Sequence, residues 1–333
     1  MKPSTPLRSA FLIPGLLALI SCIPDPAPAP RAVFDLKPPM LLEAGPTDGR
    51  SFVLRFDEEV RTVDGSYRLD PGGVPTASAE GAQLRIDLGK EQEAGREYLV
   101  TGEVVDGRGN GSRFLLGFTG FNARPAKLCI TEIQTSKNSS VTRPHRDFVE
   151  FEVLEAGNLG GLEFTAASSA KTVAWRFPGV EVGIGELVVL HLAPEGLPSE
   201  IDETGGDLFA SGGIDSSGAR DFWSKAGGLP DASGVLVLAE SPGGKPVDGI
   251  FYSDGSKNGL LGEERLGLLV DNLVDFGLWQ TLGQPAWEDA FVWKPSSART
   301  ILRLSTDPKE GGAGEWGTSA NGGQSPGSLP VQP

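Results

Sequence analysis

Apolar and polar residues alternate with a period of two over much of the chain after Ala32. In "SFVLRF" Phe52, Leu54 and Phe56 share a face, and in "QLRIDL" Leu84, Ile86 and Leu88 do the same. "EYLVTGEVV" alternates at Tyr98, Val100, Gly102 and Val104, and "RFLLGFTGF" at Phe114, Leu116 and Phe118. Successive side chains of a strand point to opposite faces, so this pattern predicts half-buried β-strands. "VDGS", "DPGGVP" and "DGRGNGS" punctuate them. Asp, Asn and Gly there supply the hydrogen bonds and positive φ of tight turns, so Asp106 and Asn110 are expected to close a turn rather than hold a cation. Short strands at this spacing predict a β-sandwich.

A second set of strands begins at Lys127 with "LCITEIQTS", "DFVEFEV", "NLGGLEFTA" and "GELVVLHLA". A hairpin with a Pro-Gly-Gly turn follows at Ser233–Asp254, and then "SARTILRLS". In "DFVEFEV", Val149, Phe151 and Val153 are predicted to face a core, with Phe148, Glu150 and Glu152 on the opposite face. Two segments break the pattern. Residues 194–232 are rich in Gly and Asp and read as a long loop. Residues 260–282 place Leu266, Leu269, Val270, Leu273 and Gly277 at spacings of three and four, which predicts an amphipathic helix packed across a sheet edge or sandwich end. Trp279, Trp287 and Trp293 follow it and read as core packing, with a glycan- or peptide-binding platform as the alternative.

Two resemblances rest on these stretches. "VLRFDEEV" and "YLVTGEVVDGRGN" resemble the strand motifs of bacterial Ig-like domains. That resemblance covers about residues 33–121 and implies a spacer or adhesive module. Ile130–Ile133, Asp147–Phe151, Leu159–Leu162, Lys245–Tyr252, Ile301–Leu304, Trp316 and Pro326-Gly327 follow the order of motifs in lamin-tail domains. Leu162 and Val153 depart from that pattern, where Trp and Asn are common. The resemblance implies an Ig-like sandwich without catalysis, with acidic residues recurring at positions 132 and 150. It also implies a possible helper role, because such domains accompany secreted nucleases and phosphoesterases in bacteria.

The N-terminus changes the picture most. Lys2 and Arg8 precede the apolar run Phe11–Ile20, and Ser21-Cys22 closes it. A basic start, a short apolar core and a small residue before the cut read as a secretory signal. About ten residues at 1.5 Å each are too few to span a bilayer. "LISC" resembles the lipobox of bacterial lipoproteins, which implies acylation at Cys22. "IPDPAPAP" is proline-rich and predicts an extended tether. Ile23 rather than Asp follows the cysteine, which in the enteric sorting rule favours the outer membrane.

Charge narrows the partners. The 333 residues carry 29 Lys and Arg against 44 Asp and Glu, a net charge of −15. Nucleic acid needs a basic face and is not expected as a partner. Besides Cys22 the chain has one cysteine, Cys129, read as a buried thiol. His145 and His191 are the two histidines, neither beside a nucleophile motif, and no phosphate- or dinucleotide-binding fingerprint appears. Two weak metal candidates remain. Asp254, Ser256 and Asn258 imitate the front half of an EF-hand loop, but Arg265 stands where its closing Glu belongs. Glu150 and Glu152, with Glu132 on a paired strand, could hold an ion; hydrogen bonding to loops is the expectation.

The sequence therefore predicts an all-β protein, two Ig-like β-sandwich domains in tandem with one short helical insertion in the second. The expected organisation is a lipoprotein signal peptide at 1–21, a tether at 22–31, an Ig-like domain at 32–123 and a lamin-tail-like sandwich at 124–330. Insertions are expected at about 194–232 and 254–293. The expected function is non-catalytic: a structural or adhesive lipoprotein of the cell envelope, without cofactors, anchored through acyl chains on Cys22, with protein or glycan ligands. The alternatives are an accessory module of a secreted nuclease or phosphoesterase system, and a calcium- or glycan-binding module.

Overall fold

Residues with period-two patterning form strands, and their apolar faces meet in two separate cores. A computed structural model describes residues 36–136, 147–211, 218–261, 264–305 and 311–331. The expected signal segment, the expected tether with Cys22, and His145 lie outside the described residues. In the first sandwich, Leu41–Asp48, Ser51–Phe56, Gln83–Asp87 and Thr76–Glu80 form one antiparallel sheet in that order. The facing sheet is built on Glu97–Val105, which pairs with Gly111–Thr119 and with the short Arg61–Thr62 and Arg68–Asp70 strands. Phe52, Leu54, Leu84, Ile86, Val100 and Val104 pack between them.

The second sandwich has larger sheets. One runs Arg220–Ser224, Leu187–Leu192, Asp147–Glu155, Lys127–Gln134, Ile301–Arg303, Trp316–Thr318 in space. The other runs Thr172–Arg176, Glu163–Ala167, Gly234–Ala239, Pro246–Ser253, Phe291–Val292. Val149, Phe151 and Val153 face the core as their alternation requires. The Phe151 ring meets Phe164 edge-on at 6.0 Å and Phe177 at 5.7 Å, the favoured geometry for aromatic pairs.

Three features differ from the sequence pattern. Within the segment read as a long loop, Arg220–Ser224 is a buried strand, parallel to Leu187–Leu192. The helix spans only Glu264–Asp275 and lies on the sheet face rather than at an edge or end, against Gly234–Ala239 and Pro246–Ser253. Gly249 makes that approach possible: a Cβ there would fall 2.6 Å from Leu273 Cδ2. Finally, the outer face of the six-stranded sheet is covered, so Phe148 and Glu150 are as buried as Val149 and Phe151.

A polar hub joins the two large sheets. Arg303, on one sheet, forms a salt bridge with Asp248, on the other. Arg303 Nε also donates to the Ile130 carbonyl (2.8 Å), and the Ile130 N–H donates to Asp248 (2.6 Å). Arg303 Nη1 reaches Glu315 at 2.8 Å, and the guanidinium lies 4.4 Å from the Trp316 ring centre. Burial pushes the Asp248 carboxyl up, and the adjacent guanidinium pulls it back.

The sandwiches also touch each other, and Pro38–Pro333 form one compact unit. Asn122 Nδ2 donates to the carbonyls of Asn158 (2.8 Å) and Gly160 (2.9 Å). A Cβ at Gly160 would lie 2.5 Å from the Ala94 backbone, so the approach of these loops demands glycine. Arg176 pairs with Glu97 at 2.6 Å across the same junction.

Removing one partner of a buried ion pair strands the other charge, at a cost of about 3–5 kcal/mol. Arg303→Met is therefore expected to lower unfolding stability by about that amount in urea titrations. Adding Asp248→Asn, which removes the stranded charge and keeps an acceptor for Ile130, should recover part of the loss. An unchanged urea midpoint in the single variant would contradict this account of the hub.

Candidate functional site

The acidic strand Asp147–Glu155 carries one of the two weak metal candidates, and its register decides what the acids can do. Glu150 stands directly opposite Glu132 on Lys127–Gln134. Directly opposed residues have Cβ atoms about 4.5–5.5 Å apart. The ladder steps from Glu150–Glu132 to Phe151–Ile130, leaving Thr131 as the extra residue of a β-bulge. That bulge places the Thr131 hydroxyl 2.8 Å from Glu150 Oε1.

Both carboxylates are fully buried. The Thr300 hydroxyl donates to Glu132 at 2.6 Å, and Ser325 contributes its N–H (3.1 Å) and hydroxyl (2.8 Å). Gly327 N–H donates to Glu150 at 2.8 Å. Ser325 and Gly327 belong to the C-terminal segment, which crosses the sheet as a strap held by the two acids. Burial pushes both carboxyls up, Glu150 to about 8, where the neighbouring Glu132 charge adds to the effect. The pair thus favours holding a proton at neutral pH. Glu152, the other expected member of this face, is only half-buried and pairs with Cys129 in the ladder. Among the described residues no group of three His, Cys, Asp or Glu side chains is arranged to hold a metal ion. Glu132 and Glu150 act here as a clamp.

The calcium-like loop is a turn. Asp254 Oδ1 accepts from the Ser256 N–H (2.9 Å) and hydroxyl (2.6 Å), which hold its carboxyl below the usual range. Asn258 is exposed. Gly259 N–H donates to Glu288 at 2.8 Å, tying the loop to the Trp287–Asp289 turn of 3-10 helix. Asp106 likewise closes its turn, accepting from the N–H groups of Arg108 and Asn110, each at 2.8 Å. Trp279 and Trp293 are buried and donate to the Asp289 carbonyl and the Thr135 hydroxyl. Trp287 is half-buried against Phe251. Cys129 is buried, and its thiol is pushed up to about 12 by burial.

A second buried polar cluster was not visible in the sequence. His191 Nε2 lies 3.0 Å from Asp221 Oδ1, and its ring stacks on Trp223 at 4.1 Å. Glu203 accepts from the N–H groups of Ser211 (2.8 Å) and Asp221 (2.9 Å). Arg220 bonds Glu186 at 2.7 Å and the carbonyls of Glu203 and Gly205. These contacts fasten the segment after Leu192 over the outer sheet face. The signal for this strand was "RDFW", where alternation puts Phe222 into the core and Asp221 and Trp223 beside His191.

The sign of the Glu150 effect is testable. A carboxyl raised from 4.5 to about 8 on folding binds more protons folded than unfolded between those values. Its contribution is fully present below pH about 4.5 and lost as pH rises to about 8. Melting temperatures of wild type and Glu150→Gln, compared from pH 5 to 9, should diverge in favour of the variant as pH rises. Parallel curves would mean that Glu150 keeps an ordinary carboxyl.

Comparison with known proteins bears on the second sandwich. A family model described as TP_1001_2nd, protein second domain, matches residues 126–318. An uncharacterised protein of Treponema pallidum (strain Nichols) is 30% identical over 165 residues, 49% of this chain and 41% of that protein. The matching region thus spans about two-fifths of the length of that relative.

Proposed function

The chain belongs to the TP_1001_2nd protein second domain family, and from that premise we propose that it is a lipid-anchored protein of the bacterial cell envelope with a structural or adhesive role. The observation that carries the proposal is the run Phe11–Ile20 closed by Ser21-Cys22 and followed by a proline-rich tether. Acylation at Cys22 would fasten the β-body to a bilayer, each buried CH₂ contributing roughly 0.8 kcal/mol. The finer resemblance to a lamin-tail domain is part of the same proposal. It is supported by the placement of Ile130–Ile133, Asp147–Phe151 and Ile301–Arg303 on neighbouring strands of one sheet. The buried acids and the His191–Asp221 pair have fastening duties in this reading, and recognition falls to exposed surfaces.

The test is acylation. Cells fed a labelled fatty acid should label the wild-type protein, which should partition into the detergent phase of a cloud-point separation. Cys22→Ala should lose the label and move to the aqueous phase. Retention of label by the variant would remove the anchor from this proposal. Protease added to intact cells then reports surface exposure.

A further inference from the structure

Sheet edges display unpaired backbone N–H and C=O groups, and proteins blunt them with short strands, prolines, charges or bulges. Most edges of this chain are blunted. Leu41–Asp48 contains Pro46 and Glu43 and carries two register shifts. Thr76–Glu80 and Thr172–Arg176 are five residues long and end in a charge. Trp316–Thr318 and Phe291–Val292 are shorter still, and Arg220–Ser224 is buried.

Gly111–Thr119 is different. It is nine residues long, pairs only with Glu97–Val105 among the described residues, and does so without a register shift. It has no proline. Its one charge, Arg113, is engaged by Glu103 on its own sheet at 2.9 Å. Leu115, at its centre, is 69% exposed. We propose that this edge is the docking surface for a second copy of the same chain, paired antiparallel about a two-fold axis through Leu115.

The strand is complementary to itself in that register. Leu115 meets Leu115 of the second copy, Phe114 meets Leu116, and Arg113 meets Gly117, which leaves room for the long side chain. Gly111 meets Thr119. No two like charges are opposed, the condition for favourable cross-strand pairs. A chain of net charge −15 repels its own copies over most of its surface, and this strip carries no acid. The pairing would join the sheets of two copies and cover Leu115, as an isologous interface requires.

The experiment uses the full chain with Cys22→Ala, purified and measured by sedimentation velocity up to about 100 μM, a range that covers weak self-association. The expected result is a dimer that Leu115→Lys converts to monomer with an unchanged far-ultraviolet circular dichroism spectrum. Residues opposed to themselves across the axis have Cα atoms within disulfide reach, about 4.5–5.5 Å. Leu115→Cys should therefore form a disulfide-linked dimer on mild oxidation, and Arg113→Cys should not. A monomeric parent, a dimer that persists in Leu115→Lys, or equal crosslinking through positions 113 and 115 would overturn the proposal. A monomer whose edge instead captures an extended peptide of another sequence would overturn it too.

Discussion

The clasp of Arg303 and Asp248 around the Ile130 backbone is the constraint from which the second sandwich takes its form. The two residues come from opposite sheets, and they hold the N–H and the carbonyl of the same residue, from the two peptide groups that flank its Cα. An ion pair buried this deeply adds little net stability compared with apolar packing, but either member left alone is costly. Its geometry extends to the neighbouring position. With the Ile130 N–H directed to Asp248, the ladder bulges at Thr131, and the bulge sets Thr131 beside Glu150 while Glu132 faces Glu150. The ion pair inside the sandwich and the acid pair outside it thus meet at one local deformation of one strand.

Covering both sides of the six-stranded sheet has a second effect. A sheet with one wet face can leave its carboxylates to water. Here the segment after Leu192 and the C-terminal strap cover that face, so each buried acid on it needs a donor. Glu132 and Glu150 find theirs in nearby hydroxyls and in backbone N–H groups of the strap, and Asp221 faces the His191 ring. The family match ends at residue 318, so Glu132 and Glu150 lie within it while Ser325 and Gly327 lie beyond. The strap is therefore held by acids that belong to the shared domain.

Much of the fold was legible because strands announce themselves locally. The alternation at Val149, Phe151 and Val153 named the core face, and Asp106 with Asn110 named a turn. What sits over the opposite face was not legible. Glu150 finds one of its donors 177 residues away and Glu132 finds one 193 residues away, distances over which periodicity carries no information. Arg220–Ser224 was hidden by its length and by two leading charged residues, both bonded to partners remote in sequence. The helix fell short of its apolar pattern because Gly277, with φ of 72°, turns the chain just past its last residue.

Cys129 carries a practical consequence. A thiol reacts as its thiolate, and this one is sealed between strands and held neutral far above physiological pH. The chain has two cysteines in all. A maleimide applied to the native protein therefore spares Cys129, and any label it leaves on the folded chain reports on the other cysteine, Cys22.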